Sequence, residues 1–495
     1  MLLLAIDQGT TNTKALVFDG DGQVVQSASA PCQTHYPETG WAEQSAAQIW
    51  TTTQAVINEA CAGIEDQIAG IGITNQRETI VIWDSETGQP VGPAPIWQCR
   101  RTAPICAELL DQGLGDEVLD LTGLGINPLF PASKLAWLIK NREGAKDLLD
   151  QGRLRAGTVD SWLLWNLTGG TSFATDHSNA SRTLLFDTAR LDWSPRLAEI
   201  FSLPQDALAT LLPNPLPSDS RFGDTESTAT NLPGGIPIHA MMGDSHAALF
   251  GHGVRAPGQV KATYGTGSSL MALTQTRPHS RHGISGTIAW TTGGTTFYAL
   301  EGNITVSAQA AAFVAGLLGI DDVQTLSDMA SSVSDSDGVS FVPALAGLGA
   351  PHWDDSARGL VSGLHHGTTA NHLARATFEA IAHQVCDVYA AMEQDLAASG
   401  ESQRLSGLLA DGGASRNGFL MQLQADLIGQ TVQVQSFAEL GAYGMAMVVA
   451  EQLGNPLPYL SNADQTGAFD PKLPDAERSA ARAQWAQAIS MLTHR

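Results

Sequence analysis

The sequence predicts an α/β protein of two domains. Its 495 residues exceed what one hydrophobic core organises, since single cores stop growing at about 250–300 residues. Short apolar strands alternate with stretches of helical period along the chain. A strand, a polar Gly/Thr turn and a second strand also occur twice, around Ile6-Asp7-Gln8-Gly9-Thr10-Thr11 and Tyr264-Gly265-Thr266-Gly267-Ser268-Ser269, as a duplicated architecture would show.

Apolar segments at 2–6, 15–18 and 24–28, separated by turns at 7–13 and 19–22, read as an antiparallel meander. A helical stretch follows at 45–61. A strand at 68–74 runs into Asn75-Gln76-Arg77-Glu78-Thr79, followed by a strand at 80–83, a turn at 85–88 and Ile96-Trp97. Pro- and Gly-rich segments at 211–218 and 232–235 bracket the expected boundary, placed at 241, giving domains 1–241 and 242–495. The apolar run 236–242 then ends on Gly243-Asp244-Ser245-His246. Strands at 260–263 and 270–273 flank the second Gly/Thr turn. Phe378, Ile381, Val385, Val388 and Met392 recur at helical spacing. A strand at 405–410 ends in Asp411-Gly412-Gly413-Ala414-Ser415-Arg416-Asn417. A helix carrying Phe419, Leu420, Leu423 and Leu427 follows, and a helix N-terminus after a Gly-Gly turn suits a nucleotide phosphate.

Composition excludes several classes. A net charge of −24 and a pI near 4.7 repel a phosphate backbone, so no nucleic-acid partner is expected. Five scattered cysteines without a CxxC pair argue against a disulfide framework or zinc site and fit a reducing cytoplasm. The apolar N-terminal stretch meets Asp7 at once, too early for a signal peptide or a membrane span.

The chemistry-bearing residues cluster at the strand ends. Asp7 supplies a carboxylate for a hydrated metal ion, while Gly9, Thr10, Thr11 and Asn12 supply close backbone approach and donors for phosphate, and Lys14 adds charge. Gly265-Thr266-Gly267 offers a second clamp. Either turn alone reads first as an ordinary hairpin. The Walker A pattern and the protein-kinase motifs are absent. Asp244, ending a buried strand beside glycine, reads as a general base for a hydroxyl or as a helix N-cap. Arg77 and Glu78 offer a donor fork and an acceptor, as a polyhydroxy ligand requires, or form a solvated charge pair. Trp97 reads as an apolar wall for a carbon chain or as core. The thirteen histidines show no ligand spacing.

Together these segments resemble the FGGY carbohydrate kinase family, most closely its glycerol kinases. The resemblance runs through Ile6-Asp7-Gln8-Gly9-Thr10-Thr11, Gly72-Ile73-Thr74-Asn75-Gln76-Arg77-Glu78-Thr79, Trp97-Gln98-Cys99-Arg100-Arg101 and Thr158-Val159-Asp160-Ser161-Trp162-Leu163. It continues through Asn179-Ala180-Ser181-Arg182-Thr183, Tyr264-Gly265-Thr266-Gly267, Gly347-Leu348-Gly349-Ala350-Pro351 and Asp411-Gly412-Gly413-Ala414. It implies the actin-like ATPase fold, two RNase H-like domains with ATP in the cleft between them. It implies transfer of the γ-phosphoryl group of ATP to a small polyol, glycerol first, with Asp244 as base and Asp7 as ligand of hydrated Mg²⁺. Thr10, Thr11, Asn12, Lys14, Thr266, Gly413 and Asn417 would bind nucleotide. Arg77, Glu78, Trp97, Asp244 and Ser245 would bind the acceptor. A cytoplasmic homodimer or homotetramer is implied as well.

Three positions depart from the family pattern. Asn127-Pro128-Leu129-Phe130-Pro131 stands where glycerol kinases carry Asp-Pro-Tyr-Phe-Ser, Ser245 where they carry Gln, and Ser269 where they carry an aromatic residue. These imply a wider pocket and open the alternative of a larger acceptor such as erythritol, a pentitol or a ketose. Gly235 replaces an arginine that binds a sugar-bisphosphate inhibitor in some members, so that control is not implied here. An actin- or Hsp70-like ATPase without an acceptor is the rival from another class, separable by acceptor dependence. A sugar-responsive repressor would need a basic helix-turn-helix ahead of the first strand.

Overall fold

In the computed structural model, which describes residues 1–400, 404–460 and 465–493, the opening strands reach beyond their apolar cores. Leu2–Gln8, Asn12–Phe18 and Val24–Pro31 pair in antiparallel succession. The ladder carries the polar residues too: Asp7 faces Lys14 and Gln8 faces Thr13. The first turn is therefore shorter than 7–13, and the Gly9 N–H closes it on the Asn12 carbonyl at 2.9 Å.

Leu2–Gln8 has Ile68–Asn75 as its parallel neighbour, and Ile68–Asn75 has Pro237–Gly243. Gly223–Asp224 closes this six-stranded sheet antiparallel. The helix Ala46–Ala60 covers one face, started by the Ser45 side chain accepting from Gln48 N and buried through Ile49, Val56 and Ile57. The helix Leu440–Gln452 seats directly on the sheet. A Cβ at Gly70 would lie 2.8 Å from Val449 and one at Gly72 would lie 2.9 Å from Met445, so side chain-free strand positions admit the helix. Residues 80–212 build a further core around Ile80, Ile82, Leu124, Phe130, Leu135 and Leu138.

The contacts divide the chain into two units. One comprises Met1–Gly253, Gly286–Tyr298 and Glu439–Tyr459; the other comprises Val254–Ser285, Ala299–Ala438 and Leu460–Arg495. The first unit thus continues through Asp244 and takes back two distant segments, which no linker composition signals.

In the second unit's sheet, Val260–Tyr264 pairs antiparallel with Ser268–Thr274 and parallel with Leu408–Asp411. Val432–Gln435 follows in parallel, and Gln465–Phe469 closes antiparallel. Thr295–Ile304, whose residues 299–304 belong to this unit, extends the other edge. Both sheets therefore run an antiparallel corner, two parallel strands and an antiparallel closing strand in the same order. The short sequence echo was one corner of a whole repeated topology. The helix Ala370–Ala398 buries Phe378, Ile381, Val385, Val388 and Met392 in this unit's core. Among the described residues no helix is long and apolar enough to cross a membrane.

Candidate functional site

Three parallel strands of the first unit end side by side, and their ends carry the expected residues. The register sets Asp7 beside Thr74 and Gly243 beside Asn75. Ile68–Asn75 therefore delivers Gln76-Arg77-Glu78 between Asp7 on one side and Asp244 on the other. The carboxyl ends of parallel strands are where open α/β sheets hold ligands, because the chain there leaves the ladder and turns into loops and helix N-termini.

Asp244 is the first residue of the helix Asp244–Gly251, and Gly243 is its N-cap. Asp244 therefore stands one position inside the helix and not at the N-cap. Its Oδ1 accepts from the first-turn N–H of Ser245 at 2.6 Å and also from Arg77 Nε at 3.0 Å, a side-chain partner that helix capping does not call for. Its side chain is 42% exposed against 8% for Arg77, so a buried guanidinium holds an accessible carboxylate. Gly243 makes this possible: a Cβ there would lie 2.6 Å from Arg77 Cδ. Ser245, on the next helical position, is buried.

Arg77 and Glu78 are both buried, which corrects the solvated-pair alternative. Burying two charges demands partners. Arg77 has Asp244, and Glu78 Oε1 accepts from Arg182 Nε at 2.7 Å. Arg182 is fully buried, with its guanidinium 5.1 Å from the Phe130 ring centroid. Glu78 has φ +61°, a left-handed conformation that costs about 1–3 kcal/mol for a non-glycine and persists only where its surroundings over-determine it. Arg182 lies in a segment noted in the sequence without a role, and nothing in its spacing pairs it with Glu78.

Trp97 is half-buried. Its indole Nε1 donates to Thr10 Oγ1 at 2.9 Å, and that hydroxyl donates to Gln76 Oε1 at 3.3 Å. Gln76 also accepts from Thr79 Oγ1 and donates to Gln8 and Gln44, at 2.9, 3.0 and 2.8 Å. The Thr10 hydroxyl is thus a hub joining the first Gly/Thr corner to Trp97, not a spare donor. Gln76, the hub's anchor, had only its place beside Arg77 to mark it. Thr11 and Asn12 are exposed at the corner.

Lys14 Nζ donates to both oxygens of Glu439, at 2.8 and 2.7 Å. Its charge, expected to be free for phosphate, is therefore compensated by a residue 425 positions away. Burial, with the neighbouring charges of Asp244 and Glu439, pushes the Asp7 carboxyl from its ordinary 3.8 up to about 7; Lys14 opposes them. Three carboxylates set against one ammonium fit a cation. Among the described residues no group of three His, Cys, Asp or Glu side chains is arranged to hold a metal ion directly. Asp7 is the residue that could hold a hydrated Mg²⁺, which keeps several waters and touches one or two carboxylates plus phosphates.

This shift predicts a pH effect. The native Asp7 binds its proton more tightly than the unfolded chain does. The associated stability is complete below the unfolded value and is lost as pH rises through about 7. Asp7→Asn is expected to melt about 2–4 °C above the wild type at pH 8 without Mg²⁺, the gap narrowing by pH 5. Equal melting temperatures at both pH values would contradict the charge crowding.

In the second unit, the Gly265 N–H closes the corner on the Gly267 carbonyl at 2.9 Å, and Thr266 stands exposed at its tip. Thr263 is in register with Asp411. Gly412 has φ +88° and so little room that a Cβ would lie 2.6 Å from the Tyr264 carbonyl oxygen. Gly412 is therefore pressed against Tyr264, the residue that leads into the Thr266 corner. Asn417 is the N-cap of Gly418–Ile428: Oδ1 accepts from Leu420 N and Nδ2 donates to Ser327 Oγ, both at 2.9 Å. Its first role is to start the helix.

The model of the FGGY family of carbohydrate kinases matches with its N-terminal domain over residues 2–251 and its C-terminal domain over 260–452. A glycerol kinase of Symbiobacterium thermophilum is 43% identical, covering 98% of this chain and 97% of that protein. Glycerol kinase 2 of Thermotoga maritima is 40% identical over 99% and 98%. Among solved structures, the glycerol kinase of Plasmodium falciparum with ADP superposes with a TM-score of 0.91 at 30% identity, covering 100% of this chain and 98% of that one. A xylulose kinase from Rhodospirillum rubrum, at 23% identity and TM-score 0.85 over 99% of each chain, shares the fold.

Proposed function

We infer the reaction from one premise: this chain belongs to the FGGY family of carbohydrate kinases and has their actin-like ATPase fold. It moves the γ-phosphoryl group of ATP onto a hydroxyl of a small polyol, and glycerol is the acceptor, as in the relatives at 40–43% identity. The observation that carries this reading is the Arg77–Asp244 contact, an exposed carboxylate held at a strand end by a buried arginine.

Phosphoryl transfer asks a protein for alignment and charge neutralisation more than covalent chemistry. Asp244 accepts the proton of the attacking hydroxyl. Arg77 and Glu78 donate to and accept from the acceptor's hydroxyls, Trp97 walls its carbon chain, and Ser245 lines it beside the base. Thr10, Thr11, Asn12 and Lys14 form the first phosphate corner, Thr10 through its backbone because its hydroxyl is engaged by Trp97 and Gln76, and Lys14 by sharing its ammonium between Glu439 and phosphate; Thr266, Gly413 and Asn417 serve the nucleotide from the second unit. Asp7 would hold hydrated Mg²⁺, which when bound would neutralise charge on the phosphate oxygens. The acceptor site and first phosphate corner fall in the first unit, which runs past the expected boundary at 241 to include Asp244 and Ser245, and the second phosphate loop and adenosine site fall in the second. The reading includes a cytoplasmic homo-oligomer, dimer or tetramer.

ADP release measured with Mg·ATP across glycerol, erythritol, pentitols and ketoses tests the reading. Turnover is expected to depend on the acceptor, with glycerol giving the highest kcat/KM. Equal release without any acceptor would replace the kinase by an ATPase, and a higher kcat/KM for a four- or five-carbon acceptor would replace glycerol.

A second expectation concerns Gly243. In Gly243→Ala the new methyl sits 2.6 Å from Arg77 Cδ and turns the guanidinium off Asp244. Because a displacement of about 1 Å in a reacting group costs about 10²-fold, kcat/KM for glycerol should fall about 10–100-fold. Unchanged kinetics would show that Arg77 need not hold Asp244.

A further inference from the structure

Lys134 lies in the helix Pro131–Asn141 and is wholly buried. A buried ammonium is costly and persists only where its hydrogen bonds are met. Here all three N–H donors go to peptide carbonyls: Leu129 at 2.7 Å, Ile96 at 2.8 Å and Glu78 at 3.4 Å. Those carbonyls belong to three separate segments, 5, 38 and 56 positions from Lys134. Each segment carries or adjoins an acceptor residue. Glu78 is one itself, Ile96 precedes Trp97, and Leu129 sits in the Asn127–Phe130 turn, whose Phe130 ring faces Arg182, the partner of Glu78.

We propose that Lys134 is a positioning residue for the acceptor pocket, an ammonium that pins the Glu78, Ile96 and Leu129 carbonyls in one arrangement. The inference rests on the acceptor site being the one described above. An ammonium matches three carbonyls with three donors; a neutral amine has two donors and a lone pair, and an alkyl chain has none. The Glu78 bond is the longest and is the first to go. Glu78 keeps its left-handed backbone only while its neighbours hold it, so losing that bond loosens the carboxylate that accepts from the ligand. The charged and titratable groups facing Lys134 are Cys99 and Glu78, which favour the ammonium, and Arg101 and Arg100, which oppose it. Burial outweighs them and brings the ammonium down to about 7. The pin therefore weakens as pH rises through neutrality, and it does so in the acceptor pocket and not at the phosphate corner.

Steady-state kinetics of the full chain, with glycerol and ATP varied separately, test this. Lys134→Met is expected to raise KM for glycerol at least tenfold at pH 6.5, with KM for ATP and kcat within about threefold. In the wild type, KM for glycerol should rise at least threefold between pH 6.5 and 8.5, and that rise should be absent in Lys134→Met. A glycerol KM within twofold of the wild type would overturn the proposal. So would equal losses in glycerol and ATP KM, the signature of a merely structural role. If Lys134→Met yields no soluble enzyme, Lys134→Gln, whose amide keeps two N–H donors, is judged by the same criterion, with an intermediate glycerol KM expected. Absence of glycerol-dependent ADP release by the wild type would take down the acceptor reading and this proposal together. A normal wild type with an unmoved variant would take down this proposal alone.

Discussion

Asp244→Asn is expected to lower kcat about 10³-fold, within the 10²–10⁴ that a positioned general base contributes, while KM for glycerol changes only a few-fold. The substitution is close to isosteric. An asparagine Oδ1 can still accept from Arg77 Nε and from the Ser245 N–H, which the aspartate accepts at 3.0 and 2.6 Å, so the strand end and the first helical turn keep their geometry. What is lost is the capacity to take a proton. The stability change should be small, because the carboxylate is 42% exposed and solvent screens such a pair to about 1 kcal/mol or less. A second readout distinguishes loss of the base from loss of the fold. Asp244 is one of the charges that raise the Asp7 carboxyl, so in Asp244→Asn that carboxyl should ionise at lower pH. A kcat within tenfold of the wild type would remove Asp244 from the role, whatever the melting temperature.

The sequence made visible what depends on strand ends and lost what depends on distance. Asp7, Arg77, Glu78 and Asp244 were legible because each follows an apolar run that has to be a buried strand, and the loops leaving such strands carry ligands. Their partners were not. Lys14 meets Glu439 across 425 positions and Glu78 meets Arg182 across 104, and no local period encodes either pairing. Taken locally, Asp244 leaned toward a helix N-cap and Arg77-Glu78 toward a solvated charge pair. Geometry decided them: Gly243 takes the N-cap position, and burial separates the two charges onto different partners. Polar residues such as Asn12 and Thr13 read as turn because their strand character comes from the ladder opposite, not from their own propensity. The discontinuous first unit was illegible for the same reason. The apolar pattern of 440–452 suits a buried helix in either unit, and only the glycines at 70 and 72 reveal which sheet receives it.

Gly444→Ala is expected to destabilise the first unit by about 2–4 kcal/mol, at or above the usual range for overpacking, lowering its melting temperature by about 5–10 °C. Helix propensity argues the other way, since Ala is favoured over Gly by about 1 kcal/mol in a helix interior. Packing decides the sign. A Cβ at Gly444 would lie 2.1 Å from the Ala247 carbonyl oxygen, and one at Gly251 would lie 2.2 Å from the Leu440 carbonyl oxygen. The helices Asp244–Gly251 and Leu440–Gln452 thus touch backbone to backbone at both ends of their contact, with no flexible side chain to yield. A methyl there has to push the helices apart by about 1 Å before it reaches ordinary contact, a displacement that costs about 10²-fold when it reaches a reacting group. Asp244 begins one of those helices, so kcat should fall with stability. Gly441 is the internal control, one turn earlier on the same helix. A Cβ there meets nothing closer than the Asp244 carbonyl oxygen at 3.6 Å, so Gly441→Ala should be neutral or stabilise by about 0.4–1 kcal/mol. Thermal melts of the two variants side by side decide the matter: if Gly444→Ala melts at or above Gly441→Ala, helix propensity outweighs the backbone contact and the base is not seated by it.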